Sequence, residues 1–476
     1  MVGALAHAGR LLARSLDRAG VIAEHRLRPT LSLAWPRVLT GVALMSKQTA
    51  DVAMVGLVLG PPAIAGLAFA YAFWGIVTFL AIGLAGGTIA LVSQHYGAER
   101  YDRAELAVKA SLLLSVALSI PLSVGYVLGA ESLIGLLSSD PAAVGFGAAY
   151  LVVLAPAAVF EFLNMIVSRT YAAIGDTYTP MTVRVAGGLL NIALNAVFIF
   201  GLEMGVVGAA LGTGLSLAAV TVAFAWGIVG NRYPVIDRPP LPVPITRSRP
   251  HVEVALTRQL LSISTPLMGR RAAETALIFP LLAIAGTFGT SVVAALEIGR
   301  RVRALIDSLS WGFSIAASTL VGQNLGREDE GEADAYGREI LRFSLCCYLV
   351  LAIGVIALAN PIAGVFTDDP ETLSLATVFV AVGAVSALGL GLDGSVTGAL
   401  RGAGDTAFPF LATLVGMYLV ALPVAYTGTL GLGIGVAALY LAMVVETWAP
   451  GALNYYRFGT GKWKSVSRTY RETPGD

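Results

Sequence analysis

Apolar segments of about 20 residues follow one another along almost the whole of this 476-residue chain. Inside hydrocarbon a backbone finds no water to bond, so such segments are confined to helices whose peptide groups pair internally. About 20 residues at ~1.5 Å rise cover the ~30 Å of a bilayer core. On that scale spans fall near 33–58, 63–92, 106–129, 146–170, 182–203 and 205–230, then near 256–285, 290–322, 338–361, 372–400, 407–428 and 432–454. Only 13% of residues are charged and mean hydropathy is +0.76, against about 25% charged in soluble domains. An all-α polytopic membrane protein embedded in the lipid bilayer is expected.

A second regularity divides the spans in two. Gly175-Asp176-Thr177 returns as Gly404-Asp405-Thr406, Gln94 as Gln323, Val207 as Val436 and Asn164 as Asp393, each 229 residues later. A constant offset marks two copies of one unit. Six spans per copy give both copies the same orientation, so twelve transmembrane helices in two six-helix bundles related by pseudo-twofold symmetry are expected. Bundles of this kind flank a central cavity in secondary transporters. The segments read as a cytoplasmic amphipathic N-terminal segment 1–32, an N-lobe 33–230, a Pro- and Arg-rich cytoplasmic linker 231–255, a C-lobe 256–454 and a cytoplasmic tail 455–476.

Charge supplies orientation. Thirty-one basic and 30 acidic residues leave a net +1, which gives no field suited to nucleic acid. Arg100, Arg103, Arg169, Arg232, Arg327, Arg401 and Arg457 all fall on one side of the proposed topology, while Glu131, Asp140, Glu203, Asp368, Asp369 and Glu371 fall on the other. Both termini are then cytoplasmic, and the chain is a multi-pass protein of the cell membrane. Arg10, Arg14 and Arg18 beside Leu5, Leu12 and Leu16 suit a helix lying on an anionic leaflet.

Several chemistries are absent. No GxxxxGK[ST], GxSxG or HExxH sequence occurs, so neither a nucleotide-driven pump nor a hydrolase is written here. Four scattered His and the adjacent Cys346 and Cys347 offer no metal site. The pairs Gly83/Gly87 and Gly208/Gly212 read as helix-packing positions.

Ionisable residues inside the spans remain, and each is costly unless paired or hydrated. Lys47 with Asp51, Arg270 with Glu274, Glu297 with Arg301 and Arg303 with Asp307 stand at i,i+4, where one helix face holds both partners. Glu161, Arg271, Arg300 and Asp393 have no such partner, and with Glu274 they are the candidates for a substrate cavity. Pro36 and Pro280 offer bends.

ADVAMVGLVLGPPAIAGLAFA, GLAGGTIALVSQHYGA, RTYAAIGDTYTPM and GGLLNIALNAVFIFGLEMGVVGAALGTGLS, with TLVGQNLG and ALRGAGDTAFPF in the second half, resemble the multidrug and toxic compound extrusion (MATE) family. The likeness runs from about Leu33 to Tyr455 and is strongest to the branch with archaeal and DNA-damage-inducible members. It implies a V of two bundles, drug-like amphipathic organic substrates, no cofactor, and a monomer whose export is driven by sodium or proton re-entry. Asp51 matches the family's first-helix carboxylate, the one place for a sodium ion. Asn164, Asn191 and Thr213 match the polar residues around it. Two departures stand out. Asn195 replaces a second aspartate, which weakens a sodium site, and Lys47 places an ammonium where a cation would sit. Protons are favoured on that ground. The rival readings are a flippase of lipids or lipid-linked oligosaccharides from the same superfamily, and an ion channel.

Overall fold

The computed structural model describes residues 13–138, 140–234, 236, 241–246 and 252–472. Among them helices α1 (Glu24–Leu59), α2 (Pro61–Gly97), α3 (Tyr101–Gly135), α4 (Pro141–Ala173), α5 (Tyr178–Gly201) and α6 (Gly205–Ile228) form the first half. The second half holds α7 (Val254–Ala276), α8 (Ile278–Gly286), α9 (Thr290–Gly326), α10 (Glu330–Ala357), α11 (Ala359–Gly364), α12 (Pro370–Gly402), α13 (Ala407–Thr429), α14 (Ala437–Gly459) and α15 (Lys462–Glu472). Ten of these helices are long and apolar enough to cross a membrane. The seventh expected span is broken at Leu277, three residues before Pro280. Pro280 lacks the N–H that would bond Ala276, and α7 ends there.

The 229-residue repeat extends from sequence to backbone. Helices α2 and α9 are each 37 residues long and both their ends are 229 apart; α4 and α12, each 33 residues, match in the same way. The residues that end or separate helices repeat too. Left-handed φ occurs at Gly60 and Gly289, at Glu99 and Glu328, and at Gly175 and Gly404. Asp140 and Asp369 each precede a proline at the first helical turn and cap it, accepting from Ala142 N at 3.0 Å and Thr372 N at 2.8 Å. The copies have also diverged. Asp176 accepts from Tyr178 N and Thr179 N, both at 3.0 Å, and so starts α5, whereas Asp405 accepts from Arg457 of α14 at 2.7 Å.

The chain divides into two compact units, Leu39–Met268 and Met1–Val38 with Gly269–Asp476. The division runs through α1 and α7 instead of through residues 231–255. The described residues of that segment before α7 belong to the first unit because they pack there. Ile236, Leu241 and Val243 are buried, Ile245 N donates to Ile228 O at 2.8 Å, and Glu105 of α3 accepts from Thr246 N at 2.7 Å. In the second unit Ile22, Leu27 and Leu33 join a core with Phe313, Leu400, Phe458 and Trp463, and Leu16 packs against it. Arg26 holds Glu332 at 2.7 Å and Glu339 at 2.5 Å. The part of the N-terminal segment that is described therefore packs on protein; Leu5, Arg10 and Leu12 lie outside the described residues.

Small residues set how closely the helices approach, as their spacing implies. A Cβ on Gly83 would lie 2.9 Å from Met268 N, and one on Gly208 would lie 2.9 Å from Phe198 Cβ.

Candidate functional site

Asp51 lies on α1 and is 1% exposed. Asn191 and Asn195 are one turn apart on α5, so both amides reach the same point. Gly212 of α6 faces Asn195 so closely that a Cβ would meet its side chain, and this absence of bulk seats the amide against the carboxylate. Asn195 Nδ2 donates to Asp51 Oδ1 at 2.7 Å. Hydrogen bonding at Asn191 is satisfied when its amide nitrogen donates to Asp51 Oδ1 at 2.9 Å and its oxygen accepts from Thr213 Oγ1 at 3.0 Å and Thr213 N at 3.2 Å.

The second carboxylate oxygen is different. Among the described residues Asp51 Oδ2 has no hydrogen-bond partner, and Lys47 Nζ stands 3.5 Å from it. One oxygen is thus fixed by amides while the other can accept a proton or a cation. Fully buried Tyr150 and half-buried Tyr71, edge to face at 5.6 Å, lie within electrostatic reach of the carboxylate. Neither residue is marked by its spacing, and only packing reveals them.

The expected site is therefore assembled from Lys47, Asp51, Asn191, Asn195 and Thr213. Asn164 is not part of it. Its amide donates to Leu217 O at 3.0 Å and its oxygen accepts from Thr221 Oγ1 at 2.9 Å. Asn164 instead lines a cavity of about 140 Å³ in the first unit, with Lys47, Gln48, Glu161, Arg184 and Thr213. As for a bound sodium ion, Asn195 Oδ1 is a buried spare oxygen, but the site has one carboxylate and already faces an ammonium. Hard cations favour more anionic oxygen than that. Among the described residues no three His, Cys, Asp or Glu side chains converge.

The second unit sorts its charges differently from the i,i+4 expectation. Arg270 does pair with Glu274 at 2.8 Å, but it also binds Asp393, whose other oxygen accepts from Asn454 at 2.8 Å. Arg303 binds Glu446 of α14 and not Asp307, which accepts from Trp311 Nε1 at 3.1 Å. No ion pair joins Glu297 to Arg301 among the described residues. Nor are the four single charges unpartnered: Glu161 lies 3.7 Å from Arg184, Arg271 2.8 Å from Glu274, Arg300 3.8 Å from Glu446, and Asp393 meets Arg270. The reason is helix packing. A face of α9 turned toward α14 finds a better-placed carboxylate there than on its own next turn. Arg184 in TVRVAGG and Glu446 in VVETWAP are lone charges in apolar spans, and that cost alone marks them in the sequence.

A duplicated all-helical membrane fold with a buried, half-satisfied carboxylate beside a polar cavity defines a secondary transporter scaffold. The MatE family model matches twice, at residues 36–197 and 266–427. The chain belongs to the MatE family. A probable multidrug resistance protein NorM of Bradyrhizobium diazoefficiens is 29% identical over 90% of this chain and 92% of its own length. Multidrug and toxin extrusion protein 2 of Mus musculus is 24% identical over 76% of this chain and 62% of its own. A MATE crystal structure in the bent conformation superposes with a TM-score of 0.85 at 20% identity, covering 93% of this chain and 97% of that one. An outward-facing multidrug resistance MATE transporter gives 0.83 at 20% identity over 92% and 96%.

Proposed function

We propose that this chain is a secondary active multidrug efflux transporter that exchanges amphipathic organic substrates for protons by alternating access. The family and the multidrug relatives support efflux. The observation that carries the coupling is Asp51: a buried carboxylate with one oxygen held by amides, the other free beside Lys47, next to a cavity. Protonation removes the attraction that holds Lys47, so the local structure differs between the two protonation states. A coupling ion must make that kind of difference, because a ligand indifferent to state shifts no equilibrium. The single carboxylate at Asp51 favours a proton over sodium. We also read the chain as a member of the branch with archaeal and DNA-damage-inducible members, a reading that the match of Asp51 supports. We read it as a monomer of the cell membrane with both termini cytoplasmic, from the arginine asymmetry. Efflux from proteoliposomes under separately imposed proton and sodium gradients tests the reading. Drug movement driven by the proton gradient alone is expected; movement driven only by sodium, or uncoupled from both, overturns it.

A further inference from the structure

Arg184 and Glu161 face each other inside the first unit, Arg184 on α5 and Glu161 on α4, with side chains 10% and 9% exposed. Their contact is 3.7 Å, too long for a hydrogen bond. Among the described residues Arg184 otherwise donates only to the Met165 sulfur, at 3.9 Å. Neither side chain hydrogen-bonds a nitrogen or oxygen of the described residues. In the other long buried pairs the carboxylate is hydrogen-bonded elsewhere, Glu446 of the Arg300 pair by Arg303 and Asp51 of the Lys47 pair by Asn195. Arg26, Arg270 and Arg457 each hold a carboxylate at hydrogen-bond distance.

A buried ion pair recovers its desolvation cost only when geometry is close and the remaining donors and acceptors are used. Here both conditions fail, and both groups line the cavity. Apart from the donor on the Met165 sulfur, the guanidinium N–H groups and the two carboxylate oxygens bond no nitrogen or oxygen of the described residues, and the cavity that both side chains line also holds polar Gln48, Thr78 and Ser216. Lys47, also on the wall, stays with Asp51 while that carboxylate is charged.

We propose that the Arg184–Glu161 pair is a recognition site for a zwitterionic substrate, whose carboxylate is bound by Arg184 and whose ammonium is bound by Glu161. A ligand with both charges on one face replaces a loose internal pair with two charge-assisted hydrogen-bonded ones. A purely cationic ligand satisfies Glu161 but leaves Arg184 buried without an anion, and a purely anionic one does the reverse. The site thus selects by the penalty on the wrong ligand as well as by attraction to the right one. The inference rests on the efflux reading only in treating the bound molecule as a substrate.

The test is equilibrium binding to the purified full-length protein without any gradient, using 3-(2-naphthyl)alanine, its methyl ester (cation only) and its N-acetyl derivative (anion only). The zwitterion is expected to bind about tenfold more tightly than either congener, the scale of one charge-assisted hydrogen bond. Arg184→Gln should erase its advantage over the methyl ester, and Glu161→Gln its advantage over the N-acetyl derivative. The exchanged double variant Arg184→Glu with Glu161→Arg should recover the preference for the zwitterion, which guards against misreading a folding defect. A methyl ester that binds as tightly as the zwitterion, or no measurable binding by any of the three, overturns the proposal. Binding is read without any gradient, so a failure of proton-driven efflux by the wild type with its ligand ranking intact would count against the antiport reading and not against this site.

Discussion

Asn195 Nδ2 lies 2.7 Å from Asp51 Oδ1, and the contact joins residues 144 positions apart in the chain. It makes an amide the neighbour of the only carboxylate at this point, and it leaves Oδ2 as the open position. The behaviour of the site should follow from that asymmetry.

Asp51→Asn keeps the size of the side chain and removes its titration. Efflux driven by a pH gradient in proteoliposomes should fall to the leak of protein-free vesicles, while folded yield in detergent stays near that of the wild type. Wild-type efflux by the variant would make Asp51 structural and send the search for coupling to Glu274 or Asp393.

Asn195→Asp restores a second carboxylate beside the first. Two anions against one ammonium give the site a net negative charge and more anionic oxygen, which suits sodium. Sodium, compared with potassium at equal ionic strength, should then stabilise the variant against heat by roughly 1–3 kcal/mol at saturating excess. It should leave the wild type unmoved. Equal responses from the two proteins would show that the second acid does not control ion choice.

Arg270 serves two carboxylates, and they are not equally dependent on it. Glu274 keeps Arg271 at 2.8 Å, whereas Asp393 keeps only the neutral amide of Asn454. Arg270→Ala should therefore cost about 3–5 kcal/mol by stranding Asp393. Asp393→Asn in that background should recover most of the loss, and Glu274→Ala should recover less because it strands Arg271. Thermal unfolding of the three variants in detergent ranks them; equal rescue by both second changes would refute the assignment.

Asp369 caps α12 from outside the span. Hydrogen bonding from the Thr372 side chain and backbone holds its carboxyl below the usual value of 3.8. A group depressed on folding contributes stability above its ordinary value and loses it as pH falls through the folded one. Amide exchange at Thr372 should therefore accelerate severalfold, relative to neighbouring turns, as pH drops below about 4. In Asp369→Ala exchange should already be fast at neutral pH and show no such step.

The sequence by itself determined the helices, the repeat and the nucleus of the site. Hydrophobic length is a local quantity, so the spans were legible, and helix starts such as Asp140-Pro141 and Asp369-Pro370 carry their caps in adjacent residues. Asp51 with Lys47, and Asn191 with Asn195, were legible because one helical turn brings each pair to one face. Tertiary structure decided what lies between helices. Glu446, and not Asp307, takes Arg303; Asn164 turns from Asp51 to Leu217 and Thr221; Arg184 meets Glu161. The segment after Asn231 reads as a spacer by composition, yet its buried Ile236, Leu241 and Val243 belong to the first unit. These choices depend on the rotation and distance of packed helices, which small residues such as Gly212 permit but do not name. Coulomb energy depends on separation in space, so spacing along one helix cannot rank partners that arrive from another.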